Sequence, residues 1–196
     1  MKKLFTLSII AAALLFASCT NGSQQGKGAG SYQPIETPVP ARPAGQKHVL
    51  GLRAPKLDTV RVGFIGLGMR GRGAVERFTH IPGTKIVALC DLHADRVERS
   101  QEILEKAGLP RAAAYSGSEE AWKELCKRED IDLVYIATDW VHHAPMLIYA
   151  MEQGKHAASE VPAAMTLEEI WDVINTAERT QKPCMQIENC VYDFFE

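Results

Sequence analysis

The stretch Val60 to Gly73 reads Val-Arg-Val-Gly-Phe-Ile-Gly-Leu-Gly-Met-Arg-Gly-Arg-Gly, and it leaves few folds open. Val60, Val62, Phe64 and Ile65 form a short apolar run of the kind that becomes a buried strand. The run passes directly into Gly66-x-Gly68-x-x-Gly71 and then into a helical pattern. In a dinucleotide site, each glycine has a task. Gly66 permits the tight turn, Gly68 lets the backbone approach a pyrophosphate, and Gly71 lets the helix pack close to the strand, whose partner helix offers free N–H groups and a positive dipole end. The glycine pattern alone is weak evidence. A second strand, Lys85 to Cys90, strengthens it by ending in Asp91, about 20 residues past the last glycine, where an acid would grip the adenosine ribose hydroxyls. Asp91 has a plainer reading as a turn residue or helix cap. As a ribose acceptor it favours NAD over a cofactor carrying a 2′-phosphate.

Strands then alternate with helices. The pattern predicts helices over Ala74–Thr79, Ala94–Ala107, from Ser118, up to Met151 and over Thr166–Thr180. It predicts strands at Ala112–Tyr115, Ile131–Ala137, Lys155–Ser159 and Cys184–Ile187. Ser118 has the look of an N-cap, and Thr166 with Glu169 that of a capping box. The fold class is therefore α/β, a doubly wound parallel sheet of the Rossmann kind. In such a sheet, ligands bind beyond the carboxyl ends of the strands, near the point where strand order reverses. Met69, Arg70, Asp91, Trp140 to His143, Glu160 and Glu188-Asn189 all fall there. Each has a bland alternative: Arg70 a solvated helix charge, Trp140 a packing residue, His142 or His143 a helix cap or surface histidine. The two histidines alternate faces if extended, which makes them a poor metal pair.

Composition narrows the partners. The chain has 196 residues, 46% hydrophobic and 23% charged, with a formal net charge of −2. Basic residues are scattered among acids, so there is no electrostatic footprint for nucleic acid. Lys2 and Lys3 precede an apolar run from Leu4 to Phe16 that is short for a membrane span and fits an export signal. Phe16-Ala17-Ser18-Cys19 resembles a bacterial lipobox, with Phe16 where leucine is usual; a plain secretory signal is the other reading. Residues 1–19 are thus expected to be a lipoprotein signal peptide with lipid on Cys19, placing an exported domain on a membrane face without spanning it. Residues 20–58, rich in Gly, Ser, Gln and Pro, are expected to form a disordered, flexible tether. Residues 59–196 form the nucleotide-binding domain. Cys90, Cys126, Cys184 and Cys190 match no zinc spacing, and no metal site is expected.

The run Ala137-Thr138, His143-Ala144-Pro145, Gly154-Lys155-His156 and Glu160-x-Pro162 resembles the Rossmann domain of the Gfo/Idh/MocA oxidoreductases in order and spacing. Most of those enzymes carry Glu-Lys-Pro, with the lysine as acid/base. Here the triplet is Glu160-Val161-Pro162, and a valine cannot shuttle a proton. That variant, together with Gly68-Met69-Arg70-Gly71-Arg72-Gly73 and Glu188-Asn189-Cys190-Val191-Tyr192, is similar to glycoside hydrolase family 109, the NAD-dependent α-N-acetylgalactosaminidases. The resemblance implies NAD contacts at Met69, Arg70, Asp91, Trp140, Val141, His142, His143, Glu160, Val161 and Asn189. It also implies a carbohydrate substrate of the N-acetylgalactosaminide type, with Tyr192 near the sugar; Tyr192 and His143 are the candidate catalytic residues. The implied mechanism is redox-assisted elimination. Hydride leaves carbon 3 of the sugar for NAD, the ketone acidifies the proton on carbon 2, the leaving group departs, water adds back and the hydride returns. No opposed pair of carboxylates is needed. The sequence ends at Phe194-Phe195-Glu196, where that family continues into a substrate domain. No second domain is expected in this chain, and weak or absent turnover is expected of it alone.

Overall fold

A computed structural model describes residues 37 and 39–188. The chain divides into two compact units, Met1–Val39 and Pro40–Glu196, and every described element belongs to the second. In chain order these are β1 (Val60–Ile65), α1 (Met69–Phe78), β2 (Thr84–Cys90), α2 (Ala94–Lys106), β3 (Ala113–Tyr115), α3 (Ala121–Cys126), β4 (Leu133–Ile136), α4 (Trp140–Glu152), β5 (His156–Ser159), α5 (Leu167–Thr180) and β6 (Cys184–Gln186). The strands form one sheet in the order β3-β2-β1-β4-β5-β6, and every pairing is parallel. The doubly wound reading holds. Strand order reverses between β1 and β4, so a crevice opens over the carboxyl ends of those two strands.

Both faces of the sheet are covered, which is why β1 is apolar almost throughout. Val62 and Phe64 point to one face and pack with Leu67, Val75, Leu89, Val97 and Leu104, beneath α1 and α2. Ile65 points to the other and packs with Leu125, Ile136, Met146 and Leu147, beneath α3 and α4. Gly63 lies on that second face, where a Cβ would come within 2.8 Å of Ile131 Cδ1 and 2.9 Å of Leu125 Cδ2. Phe64 has no exposed surface, so truncation to alanine costs about 3–5 kcal/mol.

Several boundaries differ from the sequence expectation. Helix α1 begins at Met69 instead of Ala74; it includes both Gly71, buried where the helix meets the glycine turn, and Gly73. Ser118 does not cap α3, which begins at Ala121 with Glu120 as its N-cap; its Oγ accepts from Glu120 N at 3.2 Å and closes a local turn. The capping box of α5 forms as expected, with Thr166 Oγ1 accepting from Glu169 N and Glu169 reaching back to Thr166 N.

The expected flexible tether of residues 20–58 needs correction over its described part. Arg42 pairs at 2.9 Å with Glu178 of α5, whose side chain is only 1% exposed. Gln46 Nε2 donates to the same carboxylate at 2.7 Å, Gln181 Nε2 donates to Lys47 O at 3.2 Å, and Val49 packs on the core. The physical reason is Glu178 itself: a buried carboxylate must be paired, and its partners come from this segment. The signal segment and Cys19 lie outside the described residues.

Candidate active site

The glycine turn sits at the carboxyl end of β1, squeezed against the end of β4. Gly66 has φ +86°, and a Cβ there would lie 2.6 Å from the Ala137 carbonyl and 2.7 Å from Thr138 N. A Cβ on Gly71 would lie 1.8 Å from Gly66 O. Both are glycine because the chain leaves no room. Gly68 differs, since nothing lies within 4 Å of a Cβ placed on it, and its φ of −64° suits any residue. The space above Gly68 is open for something other than protein. Gly68 is also the N-cap of α1, with no side-chain cap and no acid in the first turn. The first N–H groups of that helix therefore have no intrahelical acceptor and form an anion cradle.

On one side of the turn lies a cavity of 640 Å³ bounded by Gly66, Gly68, Asp91, Leu92, Trp122 and Met146, among others. Asp91 is 6% exposed. Its Oδ2 accepts from Leu67 N at 2.7 Å and its Oδ1 from His93 N at 2.9 Å, with Arg96 Nη1 3.5 Å from Oδ1. The bland and functional readings of Asp91 are thus both visible: it pins the glycine turn to β2 and keeps a carboxylate at the cavity wall. Neighbouring Cys90 has its thiol pushed up to about 12, mainly by burial and then by the Asp91 charge, so it is an inert core group. His142 lies in the same cavity and pairs through Nδ1 with Asp139 Oδ1.

On the other side is a cavity of 260 Å³ bounded by Arg70, Trp140, His143, Glu160, Val161 and Glu188, among others. Ala137 and Thr138 line both cavities, so the two adjoin beside the glycine turn. Trp140 is the first residue of α4, which places it and His143 one helical turn apart, and His142 and His143 are consecutive residues of that helix. Glu160, 8% exposed, follows β5. Its Oε1 accepts from Tyr135 Oη at 2.6 Å and lies 3.1 Å from Arg70 Nε. Tyr135 was not among the residues singled out from sequence. Its only signal is a polar atom inside an otherwise aliphatic strand, which needs a partner once buried.

His143 is 1% exposed, with Nδ1 2.7 Å from Pro162 O and Nε2 3.2 Å from Thr138 O. Both nitrogens face backbone carbonyl oxygens, and which of them donates depends on the tautomer. The side chain ties the end of β4 to the turn after β5. Val161, 40% exposed, lines the cavity. Met69 and Val141 are exposed at the helix starts flanking the turn. Asn189 and Tyr192 lie outside the described residues. Among those described, no group of three or more His, Cys, Asp or Glu could hold a metal ion, and no helix is long and apolar enough to cross a membrane.

Residues 60–187 match the Gfo/Idh/MocA family, described as an oxidoreductase family with an NAD-binding Rossmann fold. The chain is 69% identical over 190 residues to glycosyl hydrolase family 109 protein 1 of Bacteroides fragilis, an alignment spanning 97% of this chain and 40% of that protein. It is 66% identical over 196 residues to the protein of the same description in Bacteroides thetaiotaomicron, spanning 100% of this chain and 41% of that protein. Among solved structures, the myo-inositol 2-dehydrogenase of Lactobacillus plantarum is similar, with a TM-score of 0.59 and 25% identity over 69% of this chain and 38% of that one. The chain thus spans about two fifths of the length of these relatives.

Proposed function

This chain belongs to the Gfo/Idh/MocA family of NAD-binding Rossmann oxidoreductases, and from that premise we propose that it is the cofactor-binding part of an NAD-dependent glycosidase of the α-N-acetylgalactosaminidase type. The observation that carries the cofactor side is the pair of cavities meeting at Ala137-Thr138 beside a glycine turn whose middle glycine faces open space. A dinucleotide has that shape: two nucleoside halves joined by a pyrophosphate. The first-turn N–H groups at Met69 and Arg70 would hold the pyrophosphate, and Asp91 would accept from the adenosine ribose. Trp140, Val141, His142, His143, Glu160, Val161 and Asn189 would complete the contacts, with Tyr192 toward the sugar.

NAD in this position supplies a reversible hydride acceptor beside the sugar. The side chains here orient and enclose. Trp140 lines the smaller cavity, His143 ties down the Val161-Pro162 turn through Pro162 O, and Arg70 pairs with Glu160 from the solvent side. Val161 supports the glycosidase over a dehydrogenase that consumes NAD, because the resemblance places a proton-transferring lysine at this position in the latter, and valine has no exchangeable proton. The relatives named as glycosyl hydrolases support the same choice. The proposed address is outside the cytoplasm, on a membrane through lipid at Cys19.

The test is to supply the NAD-loaded chain with nitrophenyl α-N-acetylgalactosaminide while following nitrophenol and NADH together. Slow nitrophenol release without NADH accumulation is expected. Weak release or none is in keeping with a chain spanning about two fifths of its relatives, whereas NADH accumulating in step with sugar consumed would overturn the glycosidase in favour of a stoichiometric oxidoreductase. For the address, palmitate labelling that persists in Cys19→Ala would refute the anchor.

A further inference from the structure

The smaller cavity has a buried carboxylate whose orientation is set from inside the core. Tyr135, on β4, stands in register with Phe64 of β1 and Ala158 of β5. Its ring stacks on Phe64, with centroids 5.1 Å apart, and meets Phe78 edge-on at 5.7 Å. A ring so enclosed keeps one rotamer, and its hydroxyl reaches Glu160 Oε1 at 2.6 Å. Burial first, then the bond to Glu160, drives the phenol well above the ordinary tyrosine range, so it remains a donor at any physiological pH. A hydroxyl donating to a carboxylate at this length is a charge-assisted bond, among the stronger side-chain hydrogen bonds.

Arg70 reaches the same oxygen from outside, through a guanidinium that is about half exposed. An exposed partner on a long side chain positions weakly. Both contacts fall on Oε1, and Oε2 has no hydrogen-bond partner among the described residues. The charged and titratable groups around the pair are Arg70 and Arg77 of α1, Tyr135 of β4, His143 of α4 and Glu188 beyond β6.

We propose that Tyr135 is the positioning residue of this cavity: its hydroxyl holds Glu160 so that Oε2 is presented, as a carboxylate, to hydrogen-bond donors of the bound cofactor. Tyr135 itself touches neither cofactor nor substrate; it acts through Glu160. The inference rests on the NAD reading above and deepens it. It also gives β4 a second task besides lining the crevice, because the strand carries the donor that orients the acid at the end of its neighbour.

The experiment is titration of the full 196-residue chain with NAD by calorimetry at neutral pH, for wild type, Tyr135→Phe, Glu160→Gln and the double variant. Tyr135→Phe is expected to lower affinity about ten-fold at neutral pH, the worth of one hydrogen bond to a charged group. The double variant should bind no more weakly than Glu160→Gln alone, because the two residues act as one unit. Incorporating 3-fluorotyrosine at position 135 keeps the shape and strengthens the donor, so it should hold or raise NAD affinity beside Glu160 and change nothing in the Glu160→Gln background; this pair also serves if the phenylalanine variant fails to fold. A loss adding to that of Glu160→Gln, a 3-fluorotyrosine effect that persists in Glu160→Gln, or no loss at all overturns the proposal. Failure of wild type to bind NAD would instead overturn the cofactor reading, and this inference with it.

Discussion

Gly68 and Gly71 are three residues apart in one turn, yet a methyl group on each should have opposite consequences. At Gly71, a Cβ falls 1.8 Å from Gly66 O, where real Cβ contacts essentially never come under 3.0 Å. Relief requires α1 and the turn to separate by about 1 Å, a backbone shift of the overpacking kind that costs about 1–3 kcal/mol or somewhat more. The same shift moves the helix N–H groups relative to Asp91, and a displacement of about 1 Å at a binding constellation can cost on the order of 100-fold. Gly71→Ala should therefore lose both stability and NAD affinity. At Gly68, a Cβ meets nothing within 4 Å and the backbone is not strained at φ −64°. Gly68→Ala should leave stability within about 0.5 kcal/mol of wild type, as an ordinary surface substitution does. Yet it puts a methyl group in the space assigned to the pyrophosphate, so NAD affinity should fall at least about ten-fold, one hydrogen bond or more. Urea denaturation gives the first quantity and calorimetric titration the second. If Gly68→Ala binds NAD like wild type, the pyrophosphate does not pass over Gly68. If Gly71→Ala is as stable as wild type, the close contact with Gly66 is not there.

Arg42→Ala should lower stability by about 1–3 kcal/mol in urea, less than a fully buried broken pair because Arg42 is half exposed and Gln46 still serves Glu178; an unchanged midpoint would mean the segment is not docked. Asp91→Asn turns an amide N–H₂ toward one of two backbone N–H donors, which should cost about 1–3 kcal/mol and weaken NAD binding, whereas a variant binding normally would remove Asp91 from the ribose. Asp132 is held down to about 2, first by its hydrogen bond from Arg61, against the opposing effect of burial. Its folded value lies below the unfolded value of about 3.9, so the stabilisation is present above about pH 4 and is lost as pH falls toward 2. With Arg61 partly exposed, the effect should be no more than about 2 kcal/mol; a wild type and Asp132→Asn that lose stability in parallel over that window would contradict it.

Much of the site was legible in one dimension because its parts announce themselves locally. Gly66, Gly68 and Gly71 form a pattern within a single turn, and Asp91 ends an apolar run. The doubly wound order places every strand end on one side, so Arg70, Trp140 and Glu160 could be gathered without coordinates. Other features depend on contacts the chain order hides. Tyr135 reads as a strand residue until Glu160, 25 positions on, arrives at its hydroxyl. Glu178 sits in an amphipathic helix and reads as solvated, until Arg42 and Gln46 cover it from a segment whose Pro and Gly content suggests a free tether. The role of His143 turned on a single local fact, the helix starting at Trp140, which swings the imidazole inward between Thr138 O and Pro162 O. Composition describes what a segment can do alone, and a buried charge elsewhere can recruit it.

The two cavities are proposed to be halves of one dinucleotide site. Calorimetric titration of the purified chain with NAD, without and with saturating adenosine diphosphate ribose, tests it most directly. That fragment contains the adenosine and pyrophosphate and should fill the cavity at Asp91 and the cradle at Gly68. One saturable NAD site per chain is expected, abolished when the fragment is present. Absence of saturable NAD binding, or NAD binding indifferent to the fragment, would contradict it.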